Sequence, residues 1–305
     1  MPVLWESASR ATNVACLAVL ATDKQRAVDF MVSTTRSPRI LVLGDVMVDR
    51  WWLGSAARLS PEAPIPVTKI DKIIDCPGGA GNVAANLKAL GAAVWCPNQG
   101  DRQVPIKNRL MVNDVQLARW DENDTCEAIT NISYGQWDAV VVADYCKGAV
   151  GPAVVDYVRK FCIPKFIDTK GNPSLWAGIP GVTIFPNTKE YSTYFDEYYN
   201  NFSHIVHKKS AHGVEETLIS RFDGRVFDAK REKIPSWAKF VCNVSGAGDT
   251  LTAAYAYATL VGYPDPLAFA NAAAAVVVEK PLTATASLQE VLDRLKEVGY
   301  PNAGC

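Results

Sequence analysis

The chain has 305 residues, 49% of them apolar, with 31 basic against 32 acidic side chains and a formal charge of −1. That length can bury a large core, as one domain or as a domain with an elaboration, and the lack of a basic excess argues against nucleic-acid binding by counterion release. Eight cysteines without a C-x-x-C pair argue against a zinc site and a disulfide scaffold, and for a reducing, cytoplasmic setting.

In chain order, residues 1–37 are the least legible. The apolar run "VACLAVLA" (14–21) is too short to span a bilayer, so no membrane partner is expected. An accessory helix fits it better than a cleaved signal peptide, because a charged n-region is nearly absent. From residue 38 strands alternate with helices. "RILVLGD", "DAVVVADY", "KFIDTKG", "GVTIFPN" and "SHIVHKKS" read as strands; "GNVAANLKALGA", "PAVVDYVRKF" and the long stretches from Gly246 and Asp265 read as helices. Short apolar strands separated by helices predict an α/β fold with a mainly parallel sheet covered on both faces. Two aromatic, β-leaning segments, about 48–73 and 105–121, do not fit that alternation and are expected to form a small β-sheet lid.

Ligands collect at the carboxyl ends of strands in open parallel sheets. Asp45, Asp144, Asp168 with Lys170, and Asn187 all fall at such ends. In "NVSGAGDT", Gly246, Ala247 and Gly248 open a helix whose unpaired N–H groups suit an anion, and Asp249 stands one residue further as a candidate base. A capped helix with an acid in its first turn reads the same way locally. In "PNTKE", Asn187 and Glu190 can hold a hydrated Mg²⁺ with its phosphates, or form a capping pair at a helix start. In "PGGAGNVAANL", Gly78 and Gly79 would let a sugar lie against backbone, and Asn82 would hydrogen-bond its hydroxyls. Asp144 with Lys147 near a transferred phosphate, and Trp51 and Trp52 stacked on a sugar, are weaker candidates; a turn-forming Asp and packed aromatics explain them equally. The histidines show no partner acid at useful spacing and are given no catalytic part.

Together these clusters resemble the ribokinase-like (PfkB) sugar kinases. "GDVMVDRWWLG", "ARLSPEAPIPV", "IKNRLMVNDVQLARWDE", "VVVADYCKGAV", "IDTKG" and "FANAAAAVVVEKPLTAT" are similar, in the same order, to the D-glycero-β-D-manno-heptose 7-phosphate kinases of that family. The resemblance implies a ribokinase-like three-layer sandwich over residues 38–305 and ATP-dependent phosphorylation of the anomeric hydroxyl of that heptose phosphate, a lipopolysaccharide precursor. It implies Asp249 as base and Gly246, Ala247 and Gly248 as anion hole. Asn187 and Glu190 would serve Mg²⁺ through water, with Lys170, Ser210, Gly213 and Asn271 at the nucleotide. Asp45, Gly78, Gly79 and Asn82 would bind the sugar, with Lys107, Arg109 and Arg58 for its phosphate. It also implies a homodimer through the lid. No adenylyltransferase domain is read after the kinase region, unlike the fused bifunctional form.

Three departures stand out. A β-α unit is missing between "WCPNQGD" and "VPIKNRL". "KKSAHG" replaces a Thr- or Ser-containing nucleotide loop, keeping Ser210 and Gly213. Pro281 and Leu282 occupy a Gly-rich turn beside a monovalent-cation site, which puts that cation in doubt. The alternatives are a catalytically impaired binding partner, or a kinase for another sugar or nucleoside.

Overall fold

Apolar runs such as "ILVLG" and "AVVVA" have no polar side to offer water, so they are driven to the middle of a sheet. The computed structural model describes residues 36–97, 104–132, 135–194, 201–222 and 225–300, so nearly all of the 1–37 extension lies outside the described residues. The elements are β1 (Arg39–Gly44), β2 (Val46–Leu59), β3 (Pro66–Gly79), α1 (Ala80–Leu90), β4 (Ala93–Trp95), β5 (Ile106–Val112) and β6 (Val115–Glu122). They continue with β7 (Ala139–Asp144), α2 (Pro152–Arg159), β8 (Lys165–Thr169), β9 (Val182–Ile184), α3 (Thr188–Tyr194) and β10 (His204–Lys208). Last come β11 (Val214–Phe222), β12 (Arg225–Ile234), α4 (Ala247–Leu260), α5 (Pro266–Val278) and α6 (Leu288–Glu297).

The main sheet has the order β12-β11-β10-β9-β8-β7-β1-β4. It is parallel from β4 to β10, and β11 and β12 close it as an antiparallel hairpin. One face packs on α1, α4, α5 and α6 through an alanine-rich core; the other packs on α2 and the turn around the fully buried Trp176. Small side chains let α4 and α5 approach each other and the sheet closely. This is the expected ribokinase-like three-layer sandwich.

The second sheet, β3-β2-β5-β6, is formed by the two segments read as a lid. Alternation along β2 turns Met47, Asp49 and Trp51 inward, and the parallel register with β5 sets Asp49 beside Lys107 and Trp51 beside Arg109. The sheet reaches the site through its ends. At Gly79, φ is +54°, and a Cβ would lie 2.3 Å from the Asp45 carbonyl oxygen; only glycine lets the chain turn there from β3 into α1. β4 ends at Trp95 and β5 begins at Ile106; the segment where a β-α unit is expected to be missing lies largely outside the described residues.

Candidate active site

Asp249 lies in the first turn of α4 and is only 3% exposed. Its Oδ1 accepts from the Tyr145 hydroxyl at 2.6 Å and its Oδ2 from Asn82 Nδ2 at 3.1 Å. Burial, and then the charge of Asp168, push its pKa up, while Tyr145 and Asn82 work the other way. Asn82 also donates to Gly246 O at 3.3 Å. The predicted sugar ligand Asn82 therefore acts as a strut under Asp249 and its helix. Gly246 itself is left-handed, φ +81°, and a Cβ on it would sit 2.5 Å from Asn82 Nδ2.

A cavity of about 520 Å³ opens at the N-terminus of α4, and it gathers most of the predicted nucleotide residues: Lys170, Asn187, Ser210, Gly213 and Asn271, with Ala247 and Gly248. Its far wall is apolar, from Val241, Val244, Leu251, Ala274 and Val278. A slot that is polar at one end and apolar at the other suits a molecule with anionic and flat aromatic parts. The Asn271 side chain is committed to Pro235 O at 2.9 Å, so it shapes the wall. The N–H of Ala247 turns back on Val244 O at 3.3 Å, which narrows the expected anion hole toward Gly248.

Behind the polar end lies a buried ion cluster. Asp168, 1% exposed, binds Lys170 Nζ through Oδ1 at 2.8 Å and Lys208 Nζ through Oδ2. Burial alone would raise the Asp168 pKa, but the two ammonium groups hold it down at about 2. Burial likewise opposes the charge on Lys170, yet Asp168 and Glu190 raise its pKa; for Lys208 burial prevails and the shift is downward. Lys208 was missed in the sequence. It ends β10, bridges to Asn187, and faces the same cavity as Gly248.

Asn187 and Glu190 form a reciprocal cap on α3. The Asn187 N–H donates to Glu190 Oε2 at 2.8 Å, and the Glu190 N–H donates to Asn187 Oδ1 at 2.9 Å. Glu190 Oε1 also lies 3.3 Å from Lys170 Nζ. Among the described residues no three acidic, histidine or cysteine side chains converge on a metal position. Carboxylate and amide oxygens of this kind fit a hydrated magnesium ion, which keeps most of its waters.

On the other side of Asp249 the sugar-side predictions divide. Asp45 is fully buried, and it accepts from the backbone N–H groups of Tyr145, Lys147 and Ala149 at 2.7, 3.2 and 2.9 Å. The structure corrects its assignment as a sugar ligand: both oxygens hold the loop after β7. The carboxylate that meets the other residues predicted for the sugar is Asp49, bound by Arg109 Nη1 at 2.9 Å and the Thr283 hydroxyl at 2.9 Å, with Gly78 against its Oδ2. Lys107 is half-buried; burial lowers its pKa against the pull of Asp49 and Asp249. Arg58 is exposed near the outer end of β2, beyond this cluster. Trp51 packs under the Arg109 guanidinium and Trp52 donates to Asn108, so both serve lid packing. Asp144 accepts from the Cys146 N–H and the Thr169 hydroxyl, the turn-forming role.

With this geometry in place, residues 98–290 match the family model described as pfkB family carbohydrate kinase. The chain belongs to the PfkB family. It is 33% identical over 306 residues to the bifunctional protein HldE of Shewanella amazonensis, covering 85% of this chain and 63% of that protein. It is 32% identical over 300 residues to HldE of Nitratiruptor sp., covering 83% and 64%. The chain thus spans a little under two thirds of these relatives. Among solved structures it is similar to phosphofructokinase-2 of Escherichia coli (TM-score 0.65, 13% identity, 86% and 99% of the two chains). It is also similar to the nucleoside kinase of Methanocaldococcus jannaschii (TM-score 0.61, 16% identity, 86% and 99%). At such identities these two speak for the fold.

One PfkB departure now has a physical form. Leu282 adopts φ +62°, so the turn keeps a left-handed backbone without a glycine, and its carbonyl accepts from Asn243 Nδ2 at 2.7 Å. The histidines are also corrected in part. His204 does meet an acid, Glu216 at 2.6 Å, twelve residues away across the β10–β11 pair, but on the side of α4 that holds Tyr255, away from Asp249.

Proposed function

We propose that the chain transfers the terminal phosphoryl group of ATP to the anomeric hydroxyl of a sugar phosphate, D-glycero-β-D-manno-heptose 7-phosphate. The observation that carries this reading is a buried carboxylate, Asp249, set between a cation-lined cavity and a second cluster of Asp49, Lys107 and Arg109. Asp249 takes the proton as the sugar oxygen bonds to phosphorus and the bond to the leaving ADP breaks. Gly248, at the positive end of α4, together with Lys170 and Lys208, offsets the charge on the phosphoryl oxygens. Asn187 and Glu190 would hold magnesium through water, and that ion would neutralise phosphate charge.

The apolar slot from Val241 to Val278 takes the adenine. Arg109 holds Asp49 toward the sugar hydroxyls, and Lys107 supplies charge for the remote phosphate. The HldE relatives support the heptose assignment, as does the resemblance carried by the "LSPEAPIPV" stretch. A cytoplasmic enzyme follows from this reading, and no helix among the described residues is long and apolar enough to cross a membrane. The test is ADP release from ATP–Mg²⁺ with a panel of acceptors. The heptose 7-phosphate should give a kcat/KM at least ~100-fold above fructose 6-phosphate, ribose or a nucleoside, since a site built for specific polar groups penalises their absence strongly. A better rate on another acceptor would replace the substrate; ligand stabilisation without any turnover would replace the reaction.

A further inference from the structure

The reaction described above uses Asp249 but leaves unexplained the group nearest to it. The Tyr145 hydroxyl lies 2.6 Å from Asp249 Oδ1, shorter than the Asn82 contact on Oδ2. The residue belongs to the loop after β7, and that loop is fixed from below. Asp45, fully buried, accepts the N–H groups of Tyr145, Lys147 and Ala149, so a second carboxylate is spent entirely on holding the backbone that carries the phenol. From above, two ammonium groups stand over the ring: Lys107 of β5 at 4.7 Å from its centroid and Lys170, after β8, at 5.2 Å. The ring is thus located by the lid, the main sheet and the clamped loop at once.

We propose that Tyr145 is a positioning residue for phosphoryl transfer, its O–H fixing the plane of the Asp249 carboxylate so that a free lone pair faces the acceptor hydroxyl. This rests on Asp249 acting as the base. A carboxylate has about four acceptor positions. Tyr145 and Asn82 fill one on each oxygen, so rotation about the side chain is stopped and the remaining positions have fixed directions. Among the described residues, the charged or titratable groups that act on Asp249 most are Asp168 of β8, Lys170 after it and Tyr145 after β7, with Lys107 of β5 also within electrostatic reach. Of these, Tyr145 is the one that touches the carboxylate, and its own pKa is raised by burial and then by Asp249, so it remains a donor at neutral pH.

The test reads the carboxylate itself. Protein labelled with ¹³C at aspartate carboxyls is titrated by NMR, and the Asp249 resonance is assigned by its loss in Asp249→Asn. In Tyr145→Phe the charged form loses its closest donor, so the midpoint should rise by about one pH unit, the size expected for a hydrogen bond to a charged group. The acid limb of kcat should rise with it, and kcat at pH 7 should fall about tenfold with the KM for ATP within twofold. Site-specific 3,5-difluorotyrosine at 145 keeps the ring and strengthens the donor, so it should move the midpoint downward; it also covers a Phe variant that folds poorly. Opposite shifts in the two variants support the proposal. An unmoved midpoint in either variant that folds overturns it, whatever the turnover. If the midpoint moves as stated but Asp249→Asn turns over normally, the assignment of the base fails while the contact stands.

Discussion

At the scale of single residues, the site is organised by charges that are buried in pairs. Breaking such a pair leaves an uncompensated charge, which costs more than the pair itself contributes. Lys208→Met removes one of the two cations on Asp168, which are also the two lysines that line the cavity. The KM for ATP should rise at least about tenfold, Lys208→Arg should recover part of it, and urea unfolding should show a loss of order 2 kcal/mol. An unchanged KM would place Lys208 outside nucleotide binding. Asp168 also predicts a pH dependence. Its folded pKa, about 2, lies below the 3.8 of an ordinary aspartate. The carboxylate form is therefore favoured by folding, so its contribution is complete above about pH 4 and is lost as pH falls through 2. Denaturant melts between pH 5 and 2 should show stability falling in that window, and Asp168→Asn should lower stability at pH 7 while flattening the decline.

At the scale of elements, α4 carries the proposed base, and its first residues are not equivalent. Gly246 has a left-handed backbone with Asn82 and Thr283 packed against it, whereas a Cβ on Gly248 would meet Lys208 at an ordinary 3.6 Å. Gly246→Ala should therefore cost about 1–3 kcal/mol and push Asn82 off Asp249. Gly248→Ala should melt like the parent and alter only ATP kinetics. Equal thermal shifts in the two variants would contradict this account of the turn.

The same element shows what the sequence disclosed. "NVSGAGDT" announced both the helix start and the acid, and apolar runs announced β1, β7 and β8, because those features are local. The cavity's Ser210, Gly213 and Asn271 were reached through the resemblance to the PfkB kinases rather than from a local motif. What escaped depends on register and on loops. Asp49 was passed over for Asp45, four residues earlier, because both are buried and only the folded partners tell them apart: Asp45 is taken up by the N–H groups of the loop after β7, while Asp49 meets Arg109 and Thr283. Tyr145 needed the Asp45-clamped loop, and the His204–Glu216 pair needed the antiparallel β10–β11 register. The reciprocal Asn187–Glu190 cap shows that a helix-start signature and a candidate ion site can be the same residues.

At the scale of the whole molecule, the lid is the incomplete part. Val67, Ile70, Ile73, Val115, Leu117 and Trp120 are all at least a third exposed on β3 and β6. Exposed apolar side chains on a small sheet are surface that a partner would cover. A homodimer through the lid would cover it, and sedimentation of the protein should give twice the mass of one chain. The double variant Ile73→Glu with Leu117→Glu should sediment as a monomer with its α/β body intact by circular dichroism; a parent monomer at micromolar concentration would refute the dimer.

Three layers, a lid and a buried ion cluster converge on one carboxylate, so the direct measurement is turnover in Asp249→Asn with ATP–Mg²⁺ and the heptose 7-phosphate. The variant keeps the shape and both donors' neighbour, and loses the base. Its kcat should fall by roughly 10³-fold or more, the scale of losing general-base catalysis together with the geometry it organises, with ATP still bound at near-parent affinity. A variant that phosphorylates the sugar at the parent rate would contradict the account.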